Sequence, residues 1–404
     1  MLMFASKPSD HLSLEDLAND FCEQHGISIS KQALQERFND FSVAFMSSLL
    51  KNHLSQQLSP ITKPEAYRYF NRIRVKDSTR FSVPKEYASI YKGQGGIGTA
   101  AQISIQYEYD LLTGKPIVLE LTSACRNDQQ DSKETLENIE KGDLLIRDLA
   151  YTSQGYIQHV TNTQAYYLNR LNPKWKVYDK NGFLIDFSKI GKRLNKYSLS
   201  LLELDAFISI GKEQLHTRLI VSKVDHQTYN KRLAKAQIAA ESKGYQLSKG
   251  FKTCAALNLF ITNIPKQWLK AKEVRIAYSL RWQIELIFKV WKSQANINSV
   301  KAMKIQRFQC QLLGRLLWIL LHWKMLGIIQ EWLIQHVKNK YYKCSVWKFY
   351  KVAFRLSNLL RQILLTRKPT SCWLDELIKK AEKKYLTETK NKGVCAQKAL
   401  YLLA

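Results

Sequence analysis

The sequence predicts a mixed α/β fold, a strand-rich centre between helical ends, on three observations. Its 404 residues, 45% of them hydrophobic, are enough for two or three packed domains, which excludes a small stapled scaffold and a disordered chain. The apolar period changes from helical to alternating near Arg72 and returns to helical after Pro265. Between those points strands come first in succession and then in turn with helices, the pattern of a sheet covered by helices. Charge adds a statement about partners: 62 Lys+Arg against 34 Asp+Glu give a net charge of +28 and a pI near 9.7, an excess that calls for a polyanion, nucleic acid first. Seven scattered cysteines without a C-x-x-C pair support neither a disulfide framework nor a thiolate zinc site.

The N-terminal 1–64 region is helical in pattern. Ser13 and Asp16 make a capping box that starts a helix carrying Leu14, Leu17, Ala18 and Phe21 on one face. Gly26 ends it, Ser30 caps the next helix through Ala33, Leu34 and Phe38, and a third runs through Met46, Leu49, Leu50 and Leu54 to a linker at Pro60 and Pro64. Helix, glycine turn and helix outline a helix-turn-helix, and the same outline also serves as a plain packing hairpin.

From 65 to 170 the chain reads as the first part of a core. Ile73–Asp77, Ala101–Tyr107 and Lys115–Leu121 alternate as strands, the last two joined by a turn at Thr113-Gly114. Three successive strands predict an antiparallel meander. A helix over 132–140, a strand over 143–148, a helix over 153–160 and a strand over 165–170 complete the order βββαβαβ, that of a ribonuclease H-like core. The stretch 171–264 adds strands at 174–178, 183–187, 202–210, 215–224 and 255–264 around one basic helix, 229–242, and reads as an inserted β-rich domain. Residues 265–300 return to the core. Residues 301–404 form a basic helical region with 21 basic against 5 acidic residues. Arg315, His322 and Lys324 interrupt its apolar run from Leu312 to Ile329, which makes that run a buried helix, not a membrane span. With no secretory signal pattern at the N-terminus, a cytoplasmic protein is expected.

The segment 273–292 carries the chemistry. On a helical wheel Tyr278, Arg281, Glu285 and Lys292 fall within an arc of about 60°, while Leu280, Ile284, Ile287 and Trp291 form a separate apolar face. Lys289 lies beside the polar stripe. Alone, such a helix is an ordinary amphipathic one with an i,i+4 ion pair. The spacing Tyr-x2-Arg-x3-Glu-x6-Lys, however, resembles the signature around the catalytic glutamate of the insertion-sequence-four family of bacterial DDE transposases. The resemblance extends to Asp77 in Val75-Lys76-Asp77-Ser78-Thr79, followed by the glycine-rich Gly93–Gly98, to Asp148 in Asp148-Leu149-Ala150-Tyr151, and to Tyr167-Leu168-Asn169-Arg170. Leu149 departs from the family, which commonly has Arg there.

Phosphodiester attack by water or a 3′-hydroxyl needs an activated nucleophile and charge relief on the leaving oxygen. Two Mg²⁺ ions about 3.5–4 Å apart supply both, held by hard carboxylate oxygens. The resemblance implies that Asp77, Asp148 and Glu285 are the catalytic and metal-holding trio, with Mn²⁺ able to replace Mg²⁺. Arg281 and Lys292 then contact phosphates, with Lys289 a lesser candidate, and Tyr278 hydrogen-bonds a phosphate or stacks on a displaced base. Asp143, at the start of its strand beside Gly142, reads as a turn residue. The implied function is cut-and-paste transposition: hydrolysis at the terminal inverted repeats of double-stranded DNA, then strand transfer to target DNA, by a homodimer in a synaptic complex within the bacterial nucleoid. A ribonuclease H-like nuclease without strand transfer and an inactive DNA-binding relative stay open.

Overall fold

The computed structural model describes residues 13–55, 69–95, 100–211, 213–336 and 345–355, with isolated positions beyond. The expected linker at Pro60 and Pro64, Gly96–Gly98 of the glycine-rich run, and Trp373 with most of the basic tail lie outside the described residues. In chain order the elements are α1 (Leu14–His25), α2 (Lys31–Glu36), α3 (Asp40–Ser55), β1 (Arg72–Ser82), β2 (Gln102–Asp110), β3 (Pro116–Ser123), α4 (Asp128–Glu134), β4 (Asp143–Arg147), α5 (Gln154–Asn162), β5 (Tyr166–Arg170), β6 (Val177–Asp179), α6 (Phe187–Lys196), β7 (Leu201–Ile210), β8 (Glu213–Lys223), α7 (His226–Glu241), α8 (Lys249–Ala255), β9 (Leu257–Thr262), α9 (Ala271–Tyr278), α10 (Trp282–Ser293), α11 (Ile305–His336) and α12 (Val346–Arg355).

Local signals start the helices where the sequence places them. The Ser13 hydroxyl accepts from the Asp16 amide (3.1 Å), and the Asp16 carboxylate accepts from the Ser13 amide (2.7 Å). Gly26 closes α1 in the left-handed region at φ +65°. Ser30 caps α2, which is only six residues long. Met46 and Leu50 of α3 are buried in the same core as the long helix α11, while Phe41 on the outer face is 87% exposed.

All nine strands among the described residues form one sheet in the order β3-β2-β1-β4-β5-β9-β8-β7-β6. The meander is as expected: β1–β2 and β2–β3 are antiparallel. β4 lies parallel to β1, and β5 parallel to β4. The 171–264 segment does not stand apart from the core, as its strand-rich composition suggested, because β6–β9 extend the core sheet from β5 outward. The cause is the fully buried β9, Leu-Asn-Leu-Phe-Ile-Thr, which satisfies a ladder on each edge by pairing with both β5 and β8. Residues 183–187 are not a strand. Leu184 makes a single bridge to Tyr178, and Asp186 then caps α6 by accepting from the Ser188 amide at 2.8 Å. The helix expected over 132–140 begins earlier, at Asp128, because the Asn127 side chain caps it, accepting from the Gln130 amide at 2.8 Å.

Alternation along the strands sorts residues to two faces. Ile73 and Val75 of β1, Ile103, Ile105 and Tyr107 of β2 and Leu144 and Ile146 of β4 join α9, α10 and α11 in the larger apolar core. Leu145, Tyr167, Leu219, Val221, Leu259 and Ile261 face the other way, into a second core with α5 and α6. Behind β1 and β2 that second face is charged and still buried. Arg74, Lys76, Glu108, Asp131, Asp143 and Arg147 are all 0% exposed. Arg74 binds Glu108 (3.0 Å) and Asp143 (2.9 Å), Arg147 binds Glu108 (3.2 Å), and Lys76 pairs with Asp131. Asp143 is therefore structural, held also by Arg72 at 2.7 Å. The chain enters β4 through Gly142, at φ +81°, where an added Cβ would lie 2.6 Å from Asn71 Nδ2.

Ile305–Ile329 of α11 is long and apolar enough to span a bilayer by length and composition alone. Its Leu312, Leu316, Ile319 and Leu320 are buried in the core, as the sequence implied. His322, also on α11, stacks on Trp318 with ring centroids 3.6 Å apart, and burial pushes its pKa down to about 4. The unfolded chain binds this proton near pH ~6.5, so stability falls as pH drops from there towards about 4, by roughly 3 kcal/mol from this group. Urea midpoints measured across that window should fall more steeply in the wild type than in His322→Phe. Parallel curves would show that His322 does not drive the loss.

Candidate active site

Register brings the two aspartates side by side. The parallel ladder of β1 and β4 ends with Lys76 opposite Arg147, so the next residues, Asp77 midway along β1 and Asp148 just past the end of β4, sit at the carboxyl end of that parallel ladder, although β1 itself runs on to Ser82 against β2. This carboxyl edge is where open α/β sheets place their sites. Strand alternation also fixes what lies beneath. Lys76 and Arg147 point to the buried charged layer, which turns Asp77 and Asp148 towards the face covered by α9 and α10.

The helical segment crosses that edge. The sequence predicted one unbroken helix, whereas a 3₁₀ turn at Ser279–Arg281 joins α9 to α10. Backbone angles stay in the right-handed helical region at Tyr278, Arg281 and Trp282, so the path continues, wound tighter. In such a turn residues three apart stack above one another, which aligns Tyr278 with Arg281. The turn touches both β1 and β4. Leu280, Ile284, Ile287 and Trp291 are buried beneath it, as their spacing implied.

Two of the three predicted carboxylates, Asp77 and Glu285, meet on one guanidinium, and Asp148 acts on it through its charge. Arg281 Nη1 donates to Asp77 Oδ2 at 3.4 Å, and Arg281 Nη2 pairs with Glu285 Oε1. Burial alone would weaken the charge on Arg281, but Asp148, Tyr278 and Glu285 more than offset it and raise its pKa. Burial likewise pushes the Asp77 carboxyl up to about 6. The Ser78 amide (2.8 Å) and Arg281 oppose that shift, and the negative charges of Asp148 and Asp128 add to it.

Among the described residues no three His, Cys, Asp or Glu side chains form a ready metal-holding group. Arg281 stands between Asp77 and Glu285. The donor chemistry nonetheless fits a hard divalent cation: the groups are carboxylates, and Asp77 has two further acids, Asp148 and Asp128, within electrostatic reach.

The remaining predicted residues divide. The Tyr278 hydroxyl faces the Asp148 carboxylate and the Arg147 carbonyl (3.4 Å), and its ring packs on Phe260 with centroids 5.1 Å apart. Its hydroxyl, more than its ring face, is turned to the site. Lys292 Nζ donates to the Arg80 carbonyl at 2.9 Å, which holds it near the carboxyl end of β1. Lys289 is not brought to the trio. It is exposed, with its ammonium 5.4 Å from the centre of the Trp347 ring.

Two neighbours escaped the sequence reading. Asp128, at the start of α4, accepts from Ser78 Oγ (3.0 Å) and Arg80 (3.1 Å), and its charge reaches Asp77. Nothing in its local sequence pointed to the site, because β1 lies 50 residues away. Trp282, next to Arg281, is 58% exposed, although the apolar Ile284, Ile287 and Trp291 of α10 are buried. Its place off the apolar stripe was the available signal.

Comparison with known proteins gives the family. A family model described as Transposase DDE domain matches residues 68–321. The chain is 32% identical over 347 residues to the transposase for insertion sequence element IS231E of Bacillus thuringiensis subsp. finitimus, an alignment covering 81% of this chain and 72% of that one. It is 32% identical over 332 residues to the IS231F transposase of Bacillus thuringiensis subsp. israelensis, with 78% and 69% covered. To the IS1151 transposase of Clostridium perfringens it is 29% identical over 366 residues, with 83% and 77% covered.

Proposed function

Because this chain belongs to the DDE-domain transposase family and its function is DNA transposition, we propose that it works by a metal-dependent cut-and-paste route centred on Asp77, Asp148 and Glu285. The observation that supports this reading is the pairing of Asp77, from β1, and Glu285, from α10, with Arg281, while Asp148, just past the adjacent β4, acts on the same guanidinium through its charge. The frame around them is a ribonuclease H-like core, a reading supported by the strand order 3-2-1-4-5 with β4 and β5 parallel to β1.

Asp77, Asp148 and Glu285 would hold Mg²⁺, or Mn²⁺ in its place. Bound there, the ions supply an activated oxygen nucleophile and charge relief on the leaving oxygen. The protein's own groups position the DNA. Arg281 takes a phosphate as a bidentate fork and Lys292 as a point charge. The Tyr278 hydroxyl orients Asp148. Trp282 offers an exposed aromatic face to a nearby base, and Lys289, exposed on α10, adds positive charge along the approach.

DNA is the partner implied by the function and by the net charge of +28. More specifically, the chain would bind the terminal inverted repeats and target DNA as a homodimer that holds two ends together, at the bacterial nucleoid in the cytoplasm. Residues 1–64 would bind DNA through their helices, 65–170 and 265–300 would make the core, 171–264 a β-rich extension of its sheet, and 301–404 a basic helical region against the backbone. Salt should weaken binding steeply, with log K falling linearly in log salt. The deciding experiment incubates the protein with Mg²⁺, duplex carrying the element ends and a target plasmid. Nicking at the ends followed by joining to the plasmid is expected. Nicking without joining would instead indicate a nuclease.

A further inference from the structure

Asp77 and Glu285 meet on a positive side chain of the protein itself. We propose that Arg281 is a countercharge that competes with a divalent cation for Asp77 and Glu285, giving way when the cation enters. This rests on the metal-dependent reading above and deepens it. One guanidinium spans Asp77 and Glu285, and Asp148 supports its charge. Without it, Asp77 and Glu285 would lose their shared partner at a site where Asp77 and Arg281 are only about a fifth exposed, at 21% and 18%. With it, Asp77 Oδ2 and Glu285 Oε1 are both engaged. A cation must therefore break charge-assisted hydrogen bonds to bind. The i,i+4 spacing of Arg281 and Glu285 lets the arginine leave by rotating its side chain alone, without moving the helix. Once released, the guanidinium lies beside the site, free for a DNA phosphate.

The test reads metal affinity, not turnover. Mn²⁺ binding to the full-length protein without DNA is followed by electron paramagnetic resonance for the wild type, Arg281→Gln and Arg281→Lys. Arg281→Gln should bind Mn²⁺ about tenfold more tightly than the wild type, since one competing charged pair no longer has to break. Arg281→Lys, which keeps the charge but loses the fork, should fall between them. Without metal, Arg281→Gln should melt below the wild type, and saturating Mn²⁺ should close the gap. If Arg281→Gln proves insoluble, Arg281→Lys alone must still bind more tightly than the wild type. Equal or weaker Mn²⁺ binding by the variants overturns the countercharge role and leaves the metal reading standing. If the wild type binds Mn²⁺ no better than a protein carrying Asp77→Asn, Asp148→Asn and Glu285→Gln together, the metal reading fails and this inference falls with it.

Discussion

Asp77→Asn, Asp148→Asn and Glu285→Gln should each lower single-turnover cleavage of end DNA by about a thousandfold or more, with DNA binding changed by only a few fold. Each amide keeps the shape of the acid and removes its negative charge. Several kcal/mol of transition-state stabilisation depend on what those charges hold, and each ~1.36 kcal/mol is tenfold in rate. Binding is spared because the +28 net charge lies elsewhere. Folding is spared too, and for Asp77 the sign is favourable. Its folded-state pKa is raised to about 6, so its ionisation costs stability as pH rises through that value. Asp77→Asn removes that cost and should melt above the wild type at neutral pH while losing cleavage. Cleavage assays at protein concentrations giving equal gel-shift occupancy make the comparison. Three variants as active as the wild type would refute the assignment.

Glu108→Gln should destabilise the fold by about 3–5 kcal/mol, the cost of breaking a buried ion pair from one side. Glu108 is 0% exposed between Arg74 and Arg147, themselves 0% exposed. Its carboxyl is held well below the usual carboxylate range: burial alone would raise it, and Arg74, Arg147 and Lys76 overcome that. After substitution Arg74 keeps only Asp143 as an ionic partner, and Arg147 keeps the Ser132 hydroxyl at 3.2 Å. Urea unfolding measures the loss. The exposed Glu86→Gln is the control and should change stability by less than about 0.5 kcal/mol. Cleavage should also fall in Glu108→Gln at temperatures where the variant is still folded. Lys76 and Arg147 immediately precede Asp77 and Asp148, so the same buried layer that anchors the strands also aims the aspartates. A variant as stable as the wild type would show that the layer is not held by its charges.

The sequence carried the site further than it carried the fold around it. Tyr278, Arg281, Glu285 and Lys292 stood out by a spacing that resembles a family signature, Asp77 and Asp148 by matching further motifs of that family, and Asp143 as a turn residue; Asp77 was expected at a strand end, whereas β1 runs on to Ser82. Capping signals at Ser13, Gly26 and Ser30 located helix ends because those contacts span three or four residues. Helices α6 and α8 were missed because both are short, ten and seven residues, and sit in a strand-rich stretch. Asp128 was missed because its partners Ser78 and Arg80 are remote in the chain.

Local order therefore determined which residue types recur at which period, and with them the strands, most helices and the candidate carboxylates. Tertiary structure alone decided that β6–β9 extend the core sheet, that the charged side of β1 and β2 is buried under α4 and its neighbours, and that Asp77 and Glu285 share one arginine. Periodicity tells a side chain which face of its own element it occupies. What covers that face is fixed by packing and charge pairing between segments tens to hundreds of residues apart, and those pairings exist only once the chain has folded.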